Sequence, residues 1–302
     1  MAAWSRAGLP GVEDTEAHVK AVERILVPLE REGAQATCEK AVMLARLLGA
    51  RLELFFCDAE HAYIQQHQYE AERAESARES CLTEARCFLE TLSLAMPHEG
   101  VPVVLDVAFE SPLYLGIVRK VQRSAPDLVV RAVGGEGKRI GASDWDLARS
   151  CPVPLLLTRG RPWRGRPIVA AAVDLSPEES PTLTHEILRA AKQFADAGRG
   201  TLEVLHAGPF RSAEVLAAHR TKLEQRAREA EVAPSAVHLV DGEPAVVLTE
   251  FATARRYDLI VLGALTHRPS LPGLLGTLTG RLLETIESDF LLVKPASSGA
   301  GR

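Results

Sequence analysis

The residues of this chain whose types and spacing could do chemistry together lie near its C-terminal end. The stretch "GALTHRPSLPGLLGT", residues 263–277, follows an apolar run, "DLIVL", and precedes "LTGRLLETIE", which has helical character. A loop that holds a phosphate needs backbone N–H groups aimed at one point, a helix N-terminus behind them and no side chain in the way. Gly263 stands at the strand end, where it permits close approach, and Gly276 and Thr277 stand where the next helix should begin. His267 and Arg268 add positive charge. Asp174, at the end of "IVAAAVDL", reaches the same region, because open parallel sheets bind ligands past the carboxyl ends of their strands. Against a cradle stand Pro269 and Pro272, which remove two amide donors, and Thr266, whose β-branched side chain costs roughly 1–2 kcal/mol if the loop needs positive φ there. The loop is either a phosphate site or a structural turn ahead of a capped helix.

Other constellations are weaker. "VGGEGKRIGASDWD", residues 133–146, carries Gly134, Gly135, Gly137 and Lys138, but Arg139 follows the lysine where a P-loop needs Ser or Thr. Asp144 and Asp146 lie at the predicted helix start, where they occupy the place an anion would take, and Ser143 is the expected N-cap. "CDAEHAYIQQH", residues 57–67, gathers Cys57, Asp58, Glu60, His61 and His67, at spacings that fit no standard metal motif, so no metal site is expected. His206 and His238 fall on predicted strands and read as packed or surface histidines. Neither G-x-S-x-G nor H-E-x-x-H occurs, and no catalytic residue is expected.

The elements that position these residues occur twice. "RILVPLE", "RLELFFC", "VPVVLDVAF", "DLVVRA" and "CPVPLLLT" are short apolar runs bounded by turn signals, and so buried strands. Between the second and third, residues 68–94 contain neither glycine nor proline and read as one long amphipathic helix. The second half repeats the order with "IVAAAVDL", "TLEVLHA", "AVHLVDG", "DLIVLG" and "DFLLVKP"; Pro112 and Pro244 each start the helix after the third strand. Strands alternating with helices imply βαβ units and parallel sheets with right-handed crossovers. The proline- and arginine-rich "RGRPWRGRP", residues 159–167, is the linker, with Trp163 packing one half on the other. We therefore expect an α/β protein divided into a flexible N-terminal leader, 1–21, a first domain, 22–160, and a second, 161–302.

The bulk numbers suit that reading. Of 302 residues, 46% are hydrophobic and 25% charged, with a net charge of −5, which argues against direct nucleic-acid binding or attachment to an acidic membrane. No apolar run approaches the ~20 residues that span a bilayer. Five cysteines without C-x-x-C spacing, together with the absence of asparagine and hence of any N-glycosylation acceptor, fit a reduced, cytoplasmic protein.

Two such halves, with "AAAVDLSPEES", "VDGEPAVVL" and the closing "DLIVLGALTHRPSLPGLLGTLTGRLLETIESDFLLVKP", resemble the universal stress proteins, and "SDWDLARSCPVPLLLTRGRPW" resembles their tandem E type. The family's fingerprint after strand four is G-x2-G-x9-G-[ST]; Gly263, Gly276 and Thr277 match it, and Thr266 replaces the second glycine. The resemblance implies two tandem domains, each a five-stranded parallel sheet with helices on both faces in the order 3-2-1-4-5. It implies an intramolecular pseudo-dimer pairing residues 155–157 with 290–293, and allows a homodimer besides. It implies a non-enzymatic cytoplasmic stress-response protein, associated with resistance to DNA-damaging or oxidative stress, acting through a protein partner or small molecule. In nucleotide-binding relatives the aspartate matching Asp174 contacts the adenosine. The nucleotide set here is then Asp174, Gly263, Thr266, Gly276 and Thr277, with ATP as the ligand in the C-terminal half only. The first half, with Glu30 at the end of its first strand, is expected to bind none.

Overall fold

The computed structural model describes residues 21–67, 71–134, 140–176, 179–264 and 277–294. Apolar, β-branched runs form the strands. In the first half these are β1 (Arg24–Leu29), β2 (Arg51–Cys57), β3 (Val103–Ala108), β4 (Leu128–Ala132) and β5 (Leu155–Thr158). The helices among them are α1 (Ala34–Leu48), α2 (Ala59–Gln66), α3 (Ala71–Ala95), α4 (Leu113–Ser124) and α5 (Ala142–Ser150). The second half runs β6 (Ile168–Ala172), α6 (Pro181–Ala197), β7 (Thr201–Gly208), α7 (Ala213–Glu229), β8 (Ala236–Asp241), α8 (Pro244–Arg255), β9 (Leu259–Gly263), α9 (Thr277–Thr285) and β10 (Asp289–Val293).

Each half orders its strands 3-2-1-4-5, all parallel, and the halves join into one ten-stranded sheet, β3-β2-β1-β4-β5-β10-β9-β6-β7-β8. The join is the antiparallel pair β5–β10, with Leu157 opposite Phe290, Leu156 opposite Leu291 and Leu155 opposite Leu292. Helices cover both faces, which is why β1, β5 and β10 are buried almost throughout. One core, on the face of α1, α3, α6 and α7, contains Val27, Leu44, Leu89, Ile187 and Leu223. The other, under α4, α5, α8 and α9, contains Ile117, Leu147, Leu248 and Leu283.

A buried carboxylate organises the join. Asp289, 1% exposed, opens β10 and receives Lys40 Nζ of α1 at 2.9 Å, Trp163 Nε1 at 2.7 Å, the Arg159 amide at 2.8 Å and the Thr158 hydroxyl at 3.1 Å. Trp163 thus ties the linker to both halves, its ring edge-on to Phe194 of α6 and 5.0 Å from the Lys40 ammonium. The cation that follows each edge strand then reaches into the other half. Arg159, after β5, donates to the Leu283 carbonyl of α9, and Lys294, after β10, donates to the Arg149 and Cys151 carbonyls where α5 ends.

One local reading is corrected, and one element is added. α5 is capped by Gly141, not Ser143: the Gly141 carbonyl already accepts the Asp144 and Trp145 amides, so Ser143 lies inside the first turn. The long helix of the first half is preceded by a separate one, α2, capped by Asp58, whose side chain accepts the His61 amide.

Candidate functional site

β6 is flanked by β7 on one side and β9 on the other, so the strand order reverses between β6 and β9, and a crevice opens past their carboxyl ends. Register places Val169 opposite Leu259 and Ala171 opposite Val261, and so brings the end of β6 beside the end of β9. Asp174 emerges there with an exposed side chain. It is held by Ser176, whose amide and hydroxyl donate to its two oxygens at 2.8 and 3.0 Å.

Gly263 closes β9. A side chain at this position would put its Cβ 2.8 Å from Leu183 Cδ2 of α6, so the absence of one has a packing reason. Its carbonyl accepts the hydroxyl of buried Thr279, in the first turn of α9, at 3.0 Å. Thr277 is the first residue of α9. Thr266, Gly276, His267, Arg268, Pro269 and Pro272 lie outside the described residues, as do Gly135, Gly137 and Lys138 of the first half's loop.

The first half has the matching crevice between β1 and β4, and its own side chains cross it. Register sets Ile25 opposite Leu128 as it sets Val169 opposite Leu259, which makes Glu30 the counterpart of Asp174. Arg131, penultimate in β4, is 3% exposed and pairs with Glu30 and with Asp144 of α5, the latter at 2.9 Å. A single guanidinium thus bridges the end of β1 and the first turn of α5. Burial opposes its charge, and the two carboxylates together outweigh that and raise its pKa. In the second half Leu262 takes the place of Arg131 and Thr279 that of Asp144, so no ion pair links those positions. Asp144 at the helix start was legible; the arginine it holds, on strand β4, was not.

A second cluster flanks Asp174 on the other face. His206, buried near the end of β7, donates from Nδ1 to the Val173 carbonyl at 3.1 Å, so its Nε2 accepts the Nδ1–H of His219 of α7 at 2.9 Å. Phe210 packs edge-on against His219, and Lys222 donates to the Leu175 carbonyl at 2.6 Å. Burial, opposed by the Val173 bond and aided by His219, lowers the His206 pKa. His238 instead belongs to a buried set around Glu203 of β7, with Tyr257 donating at 2.7 Å, His238 at 3.0 Å, and Arg255 ion-paired.

The universal stress protein family model matches residues 21–159 and again 167–294, which together take in both halves of the sheet. This chain belongs to the universal stress protein family. Among curated relatives it is similar to Universal stress protein E of Salmonella typhi, 20% identical over 286 residues, 86% of this chain and 90% of that one. It is 19% identical to Universal stress protein E of Escherichia coli K12 over 285 residues, with the same coverage. Among solved structures it resembles a protein of unknown function from Pseudomonas aeruginosa PAO1, with TM-score 0.70 and 25% identity over 91% of this chain and 94% of that one. A universal stress protein from Archaeoglobus fulgidus superposes with TM-score 0.67 at 14% identity, over 91% of this chain and 99% of that one, and so shares the fold. Among the described residues of this universal stress protein, no helix is long and apolar enough to cross a membrane.

Proposed function

We propose that this universal stress protein is a non-enzymatic stress-response protein that supports resistance to DNA-damaging or oxidative stress by binding a ligand or a protein partner. The observation that carries the proposal is the difference between its two crevices. The first is bridged by Glu30, Arg131 and Asp144. The second presents an exposed carboxylate and a helix start, with buried Leu262 where the first half has Arg131. One half therefore serves the scaffold and the other is left to bind.

A second reading makes the C-terminal half an ATP-binding switch, and Asp174 at the strand-order reversal favours it. Calorimetric titration with ATP and Mg²⁺ tests both readings. The switch reading expects heat from the wild-type chain and its loss in Asp174→Ala. No heat and no thermal shift at millimolar nucleotide would remove ATP and leave another ligand or a partner as the binding function. Nucleotide turnover that disappears in Asp174→Ala would overturn the non-enzymatic assignment.

A further inference from the structure

The turn that leads from β2 into α2 carries a buried carboxylate. Asp58 Oδ1 accepts the His61 amide at 3.1 Å, and the His61 imidazole Nδ1 stands 3.0 and 2.9 Å from Oδ1 and Oδ2. From α3, 20 residues further along the chain, Cys81 enters the same space. A carboxylate oxygen of Asp58, a ring nitrogen of His61 and the Cys81 sulfur all lie within 4.8 Å of one another.

These donors form a chemically specific set. Thiolate disfavours the hard cations Mg²⁺ and Ca²⁺, and imidazole with thiolate and carboxylate suits Zn²⁺ and its borderline-soft neighbours. Zinc bond lengths put tetrahedral donor atoms roughly 3.3–3.6 Å apart. The Asp58–His61 pair is therefore slightly tighter than a loaded site would be. The adjustment falls on the two movable donors: the His61 side chain is 58% exposed, and Cys81 is half-buried on a helix surface. Asp58 is the fixed donor: capping α2 occupies Oδ1, and Oδ2 becomes available to a metal when the His61 ring gives up its bond to that oxygen.

We propose that Asp58, His61 and Cys81 form a three-ligand site for Zn²⁺ or a metal of the same class, with solvent in the fourth position. Loading clips the first turn of α2 to α3. It is independent of the crevice beyond β6 and β9, which lies in the other half of the sheet. Read along the chain, Asp58 and His61 are a helix cap and its neighbour; the third ligand is invisible until α3 packs beside α2.

The full-length chain, stripped with a chelator and titrated with Co²⁺, tests the site. One equivalent should develop a thiolate-to-cobalt charge-transfer band with the intense visible bands of four-coordination, and Zn²⁺ should displace it. Cys81→Ser should abolish the charge-transfer band, and Cys87→Ser, which alters an exposed thiol on the same helix, should keep it. His61→Gln should weaken Co²⁺ binding by at least about tenfold, a loss already typical of groups one step removed from a metal. Because His61 is exposed, that variant folds whatever the fate of the others. A wild-type spectrum showing only weak, six-coordinate cobalt, or a charge-transfer band that survives Cys81→Ser, would overturn the proposal.

Discussion

At the scale of single residues, the two halves handle charge at equivalent positions in different ways. Glu53 of β2 and Glu203 of β7 are each the third residue of their strand. Glu53 is paired with Lys120, which also reaches Asp106 at 2.6 Å; Glu203 instead gathers Tyr257, His238 and Arg255. Burial alone would raise the Glu203 pKa, but the Tyr257 and Arg255 bonds and the nearby charges outweigh it and hold the carboxyl low. At His206 the balance goes the other way. Its folded pKa lies below the ordinary 6.5 because burial disfavours the imidazolium, with His219 and then Lys222 adding to that, and the Val173 bond and Asp174 opposing it without outweighing it. The folded chain therefore holds fewer protons at this residue than the unfolded chain does in the window just below pH 6.5. Stability at this site is complete above 6.5 and is lost as pH falls through that window towards the folded pKa. Denaturant midpoints measured from pH 7.5 down to about 5 should fall more steeply for the wild-type chain than for His206→Asn. Parallel curves would show that His206 does not set the dependence. The placement of Asp174 and Gly263 at strand ends was legible in the sequence because strand ends are marked locally. The Glu30–Arg131–Asp144 bridge and the third member of the Asp58–His61–Cys81 set were not, because their partners are far apart in the chain and meet only through the sheet and the helix pair.

At the scale of elements, the strands were readable as apolar runs, and in the inner strands such as β1, β5 and β10 burial on both faces removes the alternation that makes half-exposed strands ambiguous. The helix starts were harder. Capping by a backbone carbonyl, as at Gly141, leaves no side-chain signature, and α2 holds only one buried residue, Ala62, too little to show a period. Two glycines separate sequence propensity from packing. Gly280 sits inside α9 with nothing within 4 Å of where a Cβ would be. Gly280→Ala should therefore stabilise the chain by about 0.5–1 kcal/mol, through the backbone entropy that glycine loses on entering a helix. Gly200, in the turn between α6 and β7, would set a Cβ 2.0 Å from the Pro167 carbonyl oxygen, which itself accepts the Thr201 amide. Gly200→Ala has to push the linker off that turn and should cost about 2–4 kcal/mol, in the range reserved for forced overpacking and backbone strain. Paired urea titrations read both substitutions. Equal effects would mean that the linker yields without cost.

At the scale of the whole molecule, the two halves are a single sheet, and what makes them one lies in the short stretch around β5, β10 and the linker. The three residue pairs between those strands form a small seam for a join between domains. The side chains around it supply the rest. Asp289 holds Lys40 of α1, Trp163 of the linker and the end of β5 on one carboxylate, and Arg159 and Lys294 each end the last helix of the opposite half. Of the linker arginines that marked the boundary in the sequence, Arg159 thus serves the seam and Arg164 pairs with Asp258 ahead of β9, while Asp289, the first residue of the strand read as "DFLLVKP", is the centre of the seam. Asp289→Asn keeps the shape and removes the charge. It leaves the Lys40 ammonium, 5% exposed, without a counter-ion, and an amide group in place of an oxygen that accepted donors. Breaking a buried pair on one side costs about 3–5 kcal/mol. Because the partners of Asp289 come from both halves, the loss falls on their coupling more than on either core. Unfolding of the variant should separate into two transitions, and the amides of β5 and β10 should lose hydrogen-exchange protection ahead of those of β1 and β6. Lys40→Met with Asp289→Asn should recover part of the loss, since the orphaned charge is then gone. If Asp289→Asn unfolds in one transition, with protection lowered evenly over both sheet halves, cooperativity resides in the leucine seam itself and the carboxylate is only one of its contacts.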